Sequence, residues 1–133
     1  MAKFEFGRKT VTLEICNKTY TIEDDKKLDK KLVDFGEFMK EKANEIPQKA
    51  DYTYYKKITT DFCNDCYKFI DSLLGVNSSE EIFKDRMYDI EDCFSLLDFI
   101  REELETQRAQ RMKKYSNSRI QRDQVKQNFK KRR

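Results

Sequence analysis

The chain has 133 residues and a net charge of +3, with 40% of its residues charged and only 38% hydrophobic. That is one domain's worth of polymer, and no apolar run approaches the ~18 residues that a membrane-spanning helix needs. Histidine is absent, and three glycines and one proline leave no phosphate-cradling loop, which excludes histidine-based triads and Walker or Rossmann chemistry. These absences point to a binding or assembly protein and not an enzyme. The opening residues Met1 to Phe6 form no secretory leader, so a cytoplasmic location is expected (host cytoplasm, if phage-encoded).

The charge is distributed unevenly. Residues 1–106 carry 17 basic and 24 acidic residues, a net of −7, whereas residues 107–133 carry 11 basic and 1 acidic, a net of +10. An acidic body and a basic tail are suited to different partners, or to each other.

The first 23 residues read as β-structure. Phe4 and Phe6 alternate with polar neighbours. Val11, Leu13 and Ile15 alternate with Thr12 and Glu14, and Tyr20 and Ile22 resume the pattern after Asn17-Lys18. Strand, asparagine-containing turn and strand make a hairpin. From Asp25 the period changes: Leu28, Leu32, Phe35, Met39, Ala43 and Ile46 mark one face of a helix that ends before Pro47. A second helix is expected from about Asp51 to Leu74, with Tyr55, Ile58, Phe62, Cys66, Phe69, Ile70, Leu73 and Leu74 on its stripe. Gly75 stands where a left-handed terminating residue belongs.

Ser78-Ser79-Glu80-Glu81 has the form of a capping box, Ser78 capping and Glu81 reaching back. Periodicity leaves two readings open beyond it. Either the chain breaks at Arg86-Met87-Tyr88 and Asp89 caps a new helix, or one helix runs on through Phe83, Met87, Ile90, Phe94 and Leu97. After Thr106 the apolar supply falls away. Helix is expected to extend to Tyr115 and loosen at Ser116-Asn117-Ser118, with the remainder disordered when alone. The fold class is therefore mainly α: a β-hairpin over 1–23 and a small bundle of about four helices over 26–106 form one globular domain, followed by a basic, partly helical or disordered extension over 107–133.

Cys63-Asn64-Asp65-Cys66 is a CxxC, but Cys16 and Cys93 stand apart, so there is no second pair for a zinc ribbon. All four cysteines are read as small buried hydrophobes in a reducing compartment, and no metal, cofactor or catalytic residue is assigned. The tyrosines of Asp51-Tyr52-Thr53-Tyr54-Tyr55 cannot all share one helix face. Tyr55 fits the core stripe, which leaves Tyr52 and Tyr54 for a partner. Arg108, Arg111, Lys113 and Lys114 are the other candidate partner-binding residues.

The order of these parts resembles a known family. The hairpin "TLEICNKTYTIE" is followed by an amphipathic helix and then by "FCNDCYKFIDSLLGVNSSEEIFKDRMYDIEDCFSLLDFIREELE". This is similar to the small tail assembly chaperones of long-tailed, siphovirus- or myovirus-like phages of Gram-positive bacteria. There a helix ends near a glycine (here Leu73-Leu74-Gly75), a short helix follows (Glu81-Ile82-Phe83), and a Leu-rich helix (Leu96 to Leu104) leads to a charged end. The likeness covers roughly residues 10–106 and does not extend past Gln107. It implies a non-virion protein that coats and solubilises the tape measure protein until tail tube protein displaces it, and that is made in some phages in two lengths by frameshifting. Self-association through a hairpin edge or an apolar helix face is expected with it. The alternative is a small phage-encoded regulator or anti-defence protein that uses the basic tail to bind nucleic acid or a nucleic-acid-binding complex.

Overall fold

The computed structural model describes residues 2–47, 49 and 51–131, with residues 117–131 described by backbone only. The elements are β1 (Thr10–Ile15), β2 (Lys18–Glu23), α1 (Lys26–Asn44), α2 (Tyr52–Leu74), α3 (Ser78–Ile82) and α4 (Ile90–Lys131). An N-terminal hairpin followed by four helices is the architecture expected from the sequence. The chain divides into two units, Met1–Asp98 and Phe99–Arg133.

The strands pair antiparallel, with Val11 opposite Ile22, Leu13 opposite Tyr20 and Ile15 opposite Lys18. Alternation then puts Val11, Leu13, Ile15, Tyr20 and Ile22 on one face, and all five are buried. The turn is Cys16-Asn17, both left-handed at φ 49° and 66°, the signature of a two-residue I′ turn that matches strand twist. Cys16 is exposed there, which corrects the expectation that it is buried. β-structure does not extend to the start of the chain. Asp24 N–H donates to the Lys9 carbonyl at 2.8 Å, and the strand pairing with β2 does not reach residues 2–8. Phe4 and Phe6 are consequently 79% and 91% exposed and touch each other edge to face.

Asp25 caps α1, its carboxylate accepting from the Leu28 N–H at 2.9 Å, and Asp51 caps α2 through the Tyr54 N–H at 2.8 Å. β2 runs against α2. The buried face of α2 comprises Phe62, Cys63, Cys66, Tyr67 and Ile70. Phe35 of α1 stacks on Phe69 of α2 with centroids 4.0 Å apart, and Phe62 meets Phe94 of α4 at 5.5 Å.

Two terminal signals are met differently from the sequence pattern. Gly75 ends α2 with positive φ (117°) but extended ψ (163°), so it is not left-handed helical. The left-handed residue is Asn77, the N-cap of α3, and it makes no side-chain cap. The capping box does not form. Asp71, one turn before the end of α2, accepts from the Ser79 N–H at 2.8 Å and the Ser78 hydroxyl at 3.2 Å. The Ser79 N–H is thus served from a neighbouring helix and the Ser78 N–H donates to the Gly75 carbonyl at 3.2 Å, while Glu81 pairs with Lys18 of the hairpin.

The open question at Arg86-Met87-Tyr88 resolves as a break. Tyr88 is left-handed (φ 65°), and Asp89 accepts from the Glu91 and Asp92 N–H groups at 3.0 and 3.2 Å, starting α4. α4 then runs through Ser116-Asn117-Ser118 to Lys131, beyond the point where loosening was expected. Arg132 and Arg133 lie outside the described residues.

Candidate functional site

α1 buries its stripe incompletely. Of its apolar positions only Leu28 is buried; Leu32, Phe35, Met39 and, just past the helix, Ile46 are half-buried, and Ala43 is exposed. Val33 is 58% exposed, and Phe38 is exposed with the Lys42 ammonium 5.6 Å above its ring. Phe35 stacks on both Phe69 of α2 and Phe38 of its own helix, and Val33 is left in solvent.

The opening deepens where α1 ends and α2 begins. Tyr54, Ile58, Asp61 and Phe62 recur at four-, three- and one-residue steps along α2, which is one helix face. Together with Lys42, Glu45 and Ile46 they line a groove. Its floor is apolar (Ile46, Ile58, Phe62) and its rim is charged (Lys42, Glu45, Asp61).

Of the residues singled out from sequence, Tyr54 lines this groove and Tyr52, 77% exposed, stands on the same first turn of α2. Tyr55 is exposed as well, which corrects its placement in the core: burial along α2 begins about one turn later, at the half-buried Ile58. The groove side of α1 and Ile58 were missed as site residues, although the fourfold steps 54, 58, 62 carry the signal. Lys113 and Lys114 are exposed on α4, and Arg108 and Arg111 are half-buried with partners of their own. These four belong to the second unit, the tyrosines to the first.

The CxxC occupies a different environment. Cys63, Cys66 and Cys93 are fully buried and unbridged. Burial pushes the Cys63 thiol up to about 12, and the Cys93 thiol beside it adds to the effect. Hydrogen bonding to Cys66 and then burial push Cys93 up as well. Such thiols stay protonated at neutral pH, which is the opposite of an activated nucleophile. Among the described residues no group of three or more Cys, Asp or Glu is placed to hold a metal ion, and no helix is long and apolar enough to cross a membrane.

No curated protein and no solved structure matches the chain. The family described as "Family of unknown function (DUF6673)" matches it over residues 16–127, from the hairpin turn to near the end of α4, and the chain belongs to that family.

Proposed function

We propose that this protein is a non-enzymatic phage tail assembly chaperone that binds and solubilises the tape measure protein. The observation that carries the reading is the half-open apolar face of α1, continued into the groove beside Tyr54, Ile58 and Phe62. Val33, Phe38, Tyr52 and Tyr54 add exposed apolar area beside it. A chaperone for long amphipathic helices needs such a surface, together with enough charge to keep the complex dispersed. The resemblance over residues 10–106 supports the same reading, and tail tube protein would then compete for the client.

Co-expression with a candidate tape measure protein tests it. The expected result is a soluble complex that elutes together on a sizing column, and its loss when Tyr54→Glu and Phe38→Glu are introduced into a chain that still folds. A client that stays insoluble beside abundant wild-type protein sinks the proposal.

A further inference from the structure

The charge of this chain is segregated by sign in α4. Residues 1–79 are balanced, with fourteen acidic against fourteen basic residues. Within α4, residues 90–105 hold six acidic and one basic residue, and residues 107–131 hold nine basic and one acidic. The acidic block is accessible: Glu91, Asp98, Glu102 and Glu105 are all exposed. In the basic block Lys113 and Lys114 are exposed, and Arg119, Arg122, Lys126 and Lys130 recur at steps of three, four and four, which assigns them to one face of the helix.

Helix polarity favours acids at the start and bases at the end, but that effect fades within one turn. Blocks of about four and about seven turns exceed it. Nor can pairing along the helix neutralise blocks of this length, since it joins residues three or four apart and so reaches only their adjoining ends.

We propose that α4 of one copy pairs antiparallel with α4 of a second copy, the acidic block of each lying along the basic block of the other. The arrangement is isologous, so each complementary contact occurs twice. A parallel pair would set acid against acid and base against base. A nucleic acid would satisfy the basic block alone and bring its phosphates against Glu102, Glu103 and Glu105. Met112 and Tyr115, 66% and 72% exposed within the basic block, add apolar area to a contact that is otherwise electrostatic.

Sedimentation velocity on the full chain at about 50 mM and about 500 mM NaCl tests the pairing, since exposed charges are screened over that range. The dimer is expected at low salt, with a dissociation constant at least about tenfold weaker at high salt. Two charge-reversed variants sharpen the test. Glu91→Lys, Glu102→Lys and Glu105→Lys together, and Lys113→Glu, Lys114→Glu and Lys126→Glu together, should each be monomeric at low salt, and mixing them should restore a one-to-one dimer. Circular dichroism on each establishes that it is helical before mixing. A wild-type monomer at low salt overturns the proposal, as does a mixture of two helical variants that stays monomeric. A wild-type monomer that shifts a DNA duplex in a salt-dependent way overturns it in favour of a nucleic-acid partner.

Discussion

The Tyr67 hydroxyl of α2 accepts a hydrogen bond from the Tyr88 backbone N–H at 2.6 Å. Tyr88 is left-handed and interrupts what would otherwise be a continuous helix from Phe83 to Leu97. The tyrosine side chain therefore supplies the acceptor that a straight helix would have provided, and its ring packs on Phe83 at 5.0 Å and Tyr88 at 5.9 Å. Tyr67→Phe keeps the ring and removes the acceptor. The N–H left without this acceptor should cost about 1–2 kcal/mol in urea-denaturation stability, with an unchanged m-value because the folded state stays compact.

Asp71 ties the end of α2 to the start of α3 through Ser78 and Ser79, both of which are buried. Asp71→Ala should cost about 0.5–2 kcal/mol, the range for a lost cap. Glu81→Gln should leave the cap intact, because Glu81 takes no part in it. Thermal melts of the two variants side by side check the difference.

This pair of residues also shows where sequence reading stops. Ser78 and Glu81 have the local spacing of a capping box, but the acceptor that α3 uses comes from seven or eight positions upstream on another helix, a contact no local pattern encodes. The strands, α1 and α2 were legible because each has a single apolar period and a capping aspartate or a terminating residue at its edge. The break at Tyr88 was not, because Phe83, Met87, Ile90, Phe94 and Leu97 fit one helix as well as two. The extension of strand to Phe4 and Phe6 failed because alternation shows which side chains share a face but not whether a partner strand exists. The groove was half legible: Tyr54 stood out, but the incomplete cover of α1 depends on how its neighbours pack.

Glu81 pairs with Lys18 at 2.6 Å, joining α3 to the hairpin, and Tyr20 donates to the same carboxylate oxygen at 3.5 Å. Hydrogen bonding to Lys18 holds Glu81 below its ordinary 4.5, and hydrogen bonding to Glu81 holds Lys18 above its ordinary 10.5. A lowered carboxylate contributes stability that is present above its unfolded value and lost as pH falls through its folded value. A raised ammonium contributes stability that is present below its unfolded value and lost as pH rises through its folded value. The advantage of wild type over Glu81→Gln should therefore be level between about pH 5 and pH 10, shrink on both sides, and diminish with added salt because the pair is exposed. Denaturation midpoints across that range check it.

Thiol accessibility separates the four cysteines. Cys16 is exposed, whereas Cys63, Cys66 and Cys93 are fully buried. A disulfide reagent should titrate one thiol rapidly in the native protein and the other three only as fast as the chain opens. Cys16→Ser should abolish the fast phase and leave the slow one unchanged.

Cys16 also holds a backbone conformation that side chains other than asparagine, aspartate and glycine disfavour. Cys16→Asn should raise stability by about 0.5–1 kcal/mol in reducing buffer. A fall in melting temperature would show that the thiol makes a contact worth more than the backbone strain it occupies.

The two-residue turn between Ile15 and Lys18 has a practical corollary. Lengthening or shortening that link by one amino acid would exchange inside for outside along a whole strand, presenting Thr19 and Thr21 to α2 in place of Tyr20 and Ile22. The hairpin tip is a surface loop by location but not by tolerance, and it is the wrong place to splice an epitope or fluorophore.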